Sequence, residues 1–145
     1  MLDKIKAENV HKEPAPHIII NHPIEVKNYD HLYEQWNNPA HVIWQELKQK
    51  HNVELTHHNK LEANAHRGKE EYVGYWFFKD RSDKRPIHIK FHTTNVKYRS
   101  NTLFICDSKF KFTVKKQDVD LPDMQTCHVY FNDQRIIKEF LDPSR

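Results

Sequence analysis

The chain has 145 residues, of which 37% are hydrophobic and 30% are charged, and its formal net charge is +3. This length fits one domain with its own core, and eight Phe, six Tyr and three Trp supply much of the core volume. Two glycines exclude the glycine-rich phosphate loops of nucleotide-binding folds. No segment approaches the ~20 apolar residues of a membrane helix and no signal peptide is visible, so we expect a cytoplasmic protein without membrane contacts.

Positive charge is concentrated between residues 69 and 116. Twelve basic and five acidic residues give this segment a net charge of +7, whereas the segments before and after it are neutral or acidic. If the segment folds onto one face, its field attracts polyanions or acidic proteins.

The N-terminal region combines mixed charge with two prolines, Pro14 and Pro16. Such a composition predicts a flexible arm over residues 1–16, followed by a single domain over residues 17–145. The β-branched residues after His17 predict a short strand that is interrupted at Pro23.

Two helices are predicted next, because apolar residues recur at positions i, i+3, i+4 and i+7. The first helix is expected to be capped by Asn28. The second begins at Pro39, where a missing N–H has no cost, and ends at Asn52 in a left-handed conformation. Residues 56–69 have no clean period, and both a loop and a short helix fit them.

The remaining chain has the alternating pattern of strands, ended by a helix. Residues 71–79 are apolar on both sides, which predicts a central strand that is covered on both faces. Further strands are predicted at 87–94, 103–106, 110–114 and 127–131. A last helix, 133–141, is capped by Asn132. The predicted fold class is therefore α+β: a mostly antiparallel sheet of about five to six strands, with two N-terminal helices and a C-terminal helix packed on one face.

The polar positions of these strands carry the candidate function. Alternation places His88, Lys90 and His92 on one side of their strand. If the strands share one sheet, its outer face is basic and has rings beside it, which suits phosphate contacts and base stacking. We therefore predict a small protein that binds RNA or single-stranded DNA. The predicted contacts are Arg81, Lys84, Arg85, Lys90, Lys97, Arg99, Lys109, Lys111 and Lys115. Alternatively, these residues form an ordinary solvated strand surface.

A catalytic role for the same face is the first functional alternative. A metal-independent ribonuclease or phosphodiesterase needs a general acid and a general base, and histidine suits both roles. The candidate catalytic residues are His88, His92, His128 and Tyr130. The motif His92-Thr93-Thr94 is similar to the H-x-T element of two-histidine phosphoesterases, a family that needs a second such element, and the sequence has none. Whether the protein is an enzyme is left open.

Metal and cofactor motifs are absent from the sequence. Two cysteines without C-x-x-C spacing and the lack of H-E-x-x-H argue against a metal site, and we expect no cofactor. A second functional alternative is an accessory or inhibitor protein, with a composition common in phage proteins, whose basic patch docks an acidic protein partner.

Overall fold

The computed structural model describes residues 1–13, 15–59, 70–78, 87–91, 94–109, 113–114 and 125–142. For 87–91, 94–98 and 113–114 it describes the backbone alone. The strands are β1 (Val10–His11), β2 (His17–Asn21), β3 (Val53–His58), β4 (Tyr72–Phe77), β5 (Ile87–Phe91), β6 (Thr94–Tyr98), β7 (Thr102–Asp107), β8 (Thr113–Val114) and β9 (Thr126–Phe131). The helices are α1 (Val26–Glu34), α2 (Val42–His51) and α3 (Arg135–Leu141), and short 3-10 turns cover Leu2–Lys4 and Ala7–Asn9.

The described strands form two antiparallel sheets. One has six strands in the order β1-β2-β7-β4-β9-β3, and the other has three in the order β6-β5-β8. With the three helices, this arrangement confirms the predicted α+β class and the mostly antiparallel pairing. The sequence patterns did not predict β1 or β6.

Strand β4 is the centre of the larger sheet. It pairs with β7 on one side and β9 on the other, and each of its six residues is buried. The predicted central strand is thus confirmed. Gly74 lies in the middle of β4, where a Cβ atom would come within 3.1 Å of Leu103 and of the Phe131 ring.

The main core joins the helices to alternate positions of this sheet. Tyr29 of α1, Trp44 of α2 and Ile137 of α3 belong to one buried cluster with Trp76 and Ile105. The intervening positions of β4, β7 and β9 are also buried, so these central strands are closed to solvent on both faces. Those intervening buried residues are Val73, Tyr75, Phe77, Phe104, Cys106, His128 and Tyr130. None of the described helices is long and apolar enough to cross a membrane.

The N-terminal residues, predicted as a flexible arm, have ordered elements and core contacts. Met1 is 2% exposed and, with Ile5, belongs to the core cluster. Strand β1 pairs with β2 through Val10 opposite Ile18. Burial of these apolar side chains stabilises a segment whose mixed charge alone predicts no structure.

The starts of α1 and α2 differ from those predicted. Helix α1 begins after Glu25 rather than at Asn28, and the Tyr29 N–H donates to the Glu25 carbonyl oxygen at 2.9 Å. Helix α2 begins after His41 rather than at Pro39, and His41 Nδ1 accepts from the backbone N–H of Ile43 at 3.2 Å.

Asn52 and Asn132 connect the end of α2 to the residues that precede α3. Asn52 has φ 53°, which confirms the predicted left-handed end of α2. The Asn132 side chain donates to Asn52 Oδ1 at 3.1 Å instead of capping α3. Helix α3 begins later than predicted, at Arg135, whose backbone N–H donates to Asp133 Oδ1 at 3.1 Å.

Candidate functional site

The three-stranded sheet contains two of the predicted nucleic-acid contacts, Lys90 and Lys97, and one candidate catalytic residue, His88. In its register, His88 on β5 lies opposite Lys97 on β6. Lys90 lies opposite Asn95 on β6 and Thr113 on β8. Paired positions in an antiparallel ladder belong to the same face. The backbone therefore groups positions 88, 90 and 97 on one face of this sheet.

Two further predicted contacts are exposed beside β7. Arg99 follows β6 and Lys109 follows β7, and both are exposed. The Lys109 backbone N–H donates to Asp107 Oδ1 at 2.8 Å, which holds this turn. The predicted residues outside the described part of the chain are Arg81, Lys84, Arg85, His92, Lys111 and Lys115.

The proposed catalytic residues do not share one sheet. His88 lies on β5 of the smaller sheet, whereas His128 and Tyr130 lie on β9 of the larger one. His128 is 2% exposed and Tyr130 is 4% exposed. The structure therefore does not bring His128 to His88 on an open surface, which the acid–base hypothesis requires.

His128 instead belongs to a row of aromatic rings that crosses the larger sheet, one ring from each strand. In strand order the row consists of His11, His17, Phe104, Tyr75, His128 and His58. Neighbouring ring centroids are 5.0, 5.4, 6.3, 5.2 and 4.0 Å apart along the row. Of these residues only His128 was predicted as a site residue, because an alternating pattern does not show the strand order that brings the rings together.

His128 is a neutral imidazole at pH 7. Burial, with a smaller contribution from His58, lowers its pKa to about 4. Its Nε2 atom is buried and, in the described part of the structure, has no hydrogen-bond partner. The closest ring is that of His58 on the neighbouring strand, tilted by 32°. A protonated His128 would thus place a charged N–H in the core without an acceptor.

His57 has a similar environment on the helix side of the sheet. Its ring centroid lies 4.8 Å from Trp36 and 4.4 Å from Trp44. The two indoles are held by hydrogen bonds, from Trp36 Nε1 to Asn59 Oδ1 and from Trp44 Nε1 to the Gln35 carbonyl oxygen, each 3.0 Å long. His57 Nε2 is buried without a partner among the described residues. Burial first, then Lys48 and His58, lower the pKa of His57 to about 4.

A cavity of about 490 Å³ lies between the N-terminal turn, α1 and α2. Its apolar side includes Ile24, Leu32, Ile43 and Leu47. Its polar residues are Asp3, Lys4, Glu25, Asn28, His31, Glu46, Lys50 and His51. This volume is typical of a small-molecule pocket. The charges on its walls have both signs and favour no single class of ligand.

One end of this cavity contains an internal polar contact. His51 Nδ1 lies 2.8 Å from the N-terminal nitrogen of Met1, which also donates to Asp3 Oδ1 at 3.0 Å. Burial, followed by the charges of the terminal ammonium and Lys50, lowers the pKa of His51 to about 4. Burial also lowers the pKa of the Met1 amino group.

The described residues contain no group of three or more His, Cys, Asp or Glu that could hold a metal ion. Both described cysteines, Cys106 and Cys127, are buried, and burial raises their thiol pKa values. Neither is therefore an activated thiolate. Comparison with known proteins found no matching family model, no matching curated protein and no matching solved structure.

Proposed function

We propose that this protein binds single-stranded nucleic acid, RNA or DNA, through the basic three-stranded sheet. The observation that carries the proposal is the register of β5 with β6 and β8, which groups positions 88, 90 and 97. These positions belong to the segment with a net charge of +7. Lysines in a groove or on a sheet neutralise phosphates and release counterions, which supplies most of the sequence-independent affinity.

The exposed cations beside the sheet extend this surface. Arg99 and Lys109 are exposed at the two ends of β7. An Arg guanidinium contributes phosphate hydrogen bonds and stacks on bases, which suits an unpaired strand. Duplex binding is a weaker fit, because the described elements offer no long exposed helix for a major groove.

A binding role fits the described histidines better than a catalytic one. Acid–base cleavage needs two groups at opposite sides of one phosphate, within hydrogen-bond reach of their protons. His128 and Tyr130 are buried in the other sheet, and His128 has no open path to a polymer. We therefore propose that β5, β6 and β8 bind the nucleic acid without cleaving it.

We take all three helices to pack on one face of the six-stranded sheet, because Tyr29, Trp44 and Ile137 join one core cluster. The proposed surface consists of β5, β6, β8, Arg99 and Lys109 and includes none of the helices, so exposed lysines elsewhere in the chain serve as controls.

The test compares two variants with the same loss of charge. K90Q/K97Q removes two lysines of the three-stranded sheet, and K12Q/K27Q removes two exposed lysines elsewhere. Binding to a labelled 20-nucleotide RNA and DNA is measured by fluorescence anisotropy at several salt concentrations. Two lost phosphate contacts should weaken binding about 25-fold at 0.1 M salt and reduce the salt slope by about 1.4.

The control pair should weaken binding less than threefold, since a general charge effect is screened at this salt concentration. Equal losses in the two variants would refute the assignment of the surface. Absence of binding by the unmodified protein at low salt would refute the function itself and leave docking to an acidic protein as the next hypothesis. The RNA is incubated with the protein in EDTA and then examined on a gel. Cleavage of the RNA would restore the ribonuclease hypothesis.

A further inference from the structure

We propose that β3, one of the two described edge strands of the six-stranded sheet, is released by acid: protonation of His57 and His128 separates it from β9 while the centre of the sheet stays paired. The proposal rests on where these two rings lie. It does not depend on the nucleic-acid function.

Strand β3 lies at an edge of the six-stranded sheet. It pairs with β9 alone among the described strands, from Val53 opposite Phe131 to His58 opposite Thr126. An edge strand opens with the loss of one ladder of hydrogen bonds, whereas a central strand loses two. β3 is also less buried than β4 or β9, whose six residues are all buried.

Each face of the pairing between β3 and β9 contains an imidazole whose Nε2 atom is buried. His57 contacts Trp36 and Trp44 on one face. His128 contacts His58, at 4.0 Å between centroids, and Tyr75 on the other. Nε2 of His57 and of His128 is buried without a partner in the described structure. In either tautomer, a proton added to such a ring creates a buried cation with an unsatisfied N–H.

The charged groups around the rings of His57 and His128 also oppose protonation. The ionisable groups that act on them are His58 for both and Lys48 of α2 for His57, and each disfavours a positive charge. Tyr75 and Cys127, the latter opposite His57, are neutral at pH 7. Glu54, the acidic residue of β3, lies opposite Tyr130 and is exposed. No described carboxylate therefore compensates an imidazolium at either site.

Opening of β3 relieves both sites together. It removes His57 from the two indoles and His58 from His128, so that the rings reach water and regain ordinary basicity. With a pKa near 6.5 in the open strand and about 4 in the closed one, the opening constant should rise about 30-fold per histidine between pH 7.5 and pH 5.

Amide hydrogen exchange followed by NMR tests this inference. Protection factors, which correct for the intrinsic pH dependence of exchange, are compared at pH 7.5 and pH 5. Amides of β3 that bond to β9 should lose at least 30-fold in protection. Amides between β4 and β7 exchange through global unfolding, which exposes the same two histidines, so their protection also falls but should stay at least tenfold above that of β3 at both pH values. Equal protection factors in the two groups at pH 5 would mean that β3 opens only with global unfolding and would overturn the proposal.

The variant H57F/H128F retains aromatic rings and removes both titrating groups, so its β3 protection should change less than threefold over this range. H31Q, at an exposed position on α1, should behave like the unmodified protein. If the double variant does not fold, the imidazole resonances of the unmodified protein decide the question. Titration of either His57 or His128 near pH 6.5 in the folded state would refute the proposal.

Discussion

Asn101 is the residue whose replacement we expect to be most informative about the fold. It is 1% exposed and has φ 53°, a left-handed conformation that asparagine tolerates. Its Oδ1 accepts from Trp76 Nε1 at 3.2 Å, and its Nδ2 donates to the Ile24 carbonyl oxygen at 3.0 Å. Its backbone N–H donates to the Phe77 carbonyl oxygen, and its own carbonyl oxygen accepts from the N–H of His22. The Asn101 side chain, just before β7, thus connects Trp76 of β4 to Ile24, which precedes α1.

The magnitude for Asn101→Ala follows from these contacts. The variant leaves the Trp76 indole N–H and the Ile24 carbonyl oxygen buried without their partner, at a cost of ~1–3 kcal/mol each. Alanine at a positive φ costs ~1 kcal/mol more. We expect a total loss of about 4 kcal/mol in the free energy of unfolding, against the ~5–15 kcal/mol that domains generally have.

Asn101→Gly separates the two contributions. Glycine adopts a positive φ without strain, so this variant should lose about 3 kcal/mol and be more stable than Asn101→Ala by ~1 kcal/mol. Urea unfolding followed by circular dichroism and tryptophan fluorescence measures both values. Asn28→Ala, at an exposed position of α1, is the control and should change stability by less than ~0.5 kcal/mol. A loss below 1 kcal/mol for Asn101→Ala would refute this reasoning.

Two other predictions concern the same core. Gly74→Ala should lower stability by ~1–3 kcal/mol, because its Cβ would lie 3.1 Å from Leu103 Cδ1 and from the Phe131 ring, and a stabilising effect in urea unfolding would contradict this packing. The free energy of unfolding should also fall as the pH drops from 6.5 towards 4, since the unfolded chain binds protons on histidines that remain neutral when folded. The lowered pKa of His128 alone corresponds to ~3 kcal/mol near pH 4, and a flat stability profile in urea unfolding over this range would contradict it.

The sequence predicted those parts of the fold that depend on local periodicity. Strand β4 was found because residues 72–77 are apolar on both sides, and the end of α2 because Asn52 tolerates a left-handed conformation. Helix starts were less predictable. Asn132 has the properties of a cap, but its amide bonds to Asn52, which is distant in the sequence. Local propensity identifies a possible cap, and tertiary contacts decide whether it is used.

The candidate site depended on information that periodicity does not contain. A period of two assigns residues to the faces of a strand but does not identify the neighbouring strand. The hypothesis therefore placed His88 and His128 on one sheet, whereas β5 and β9 belong to different sheets. The contact between His58 and His128 requires β3 to pair with β9, and no local signal in the sequence predicts that pairing.

The two proposals involve separate groups of residues, and this separation makes each one a control for the other. His57 and His128 lie outside residues 69–116, whose net charge of +7 is counted from lysine and arginine against aspartate and glutamate. Nucleic-acid affinity at pH 7.5 should therefore be unaffected by H57F/H128F, and β3 protection should be unaffected by K90Q/K97Q. If H57F/H128F weakened nucleic-acid binding at pH 7.5, the binding surface would extend from the three-stranded sheet to β3. If H57F/H128F keeps its nucleic-acid affinity and K90Q/K97Q keeps its β3 protection, nucleic-acid binding is assigned to the smaller sheet and acid sensitivity to the β3 edge of the larger one.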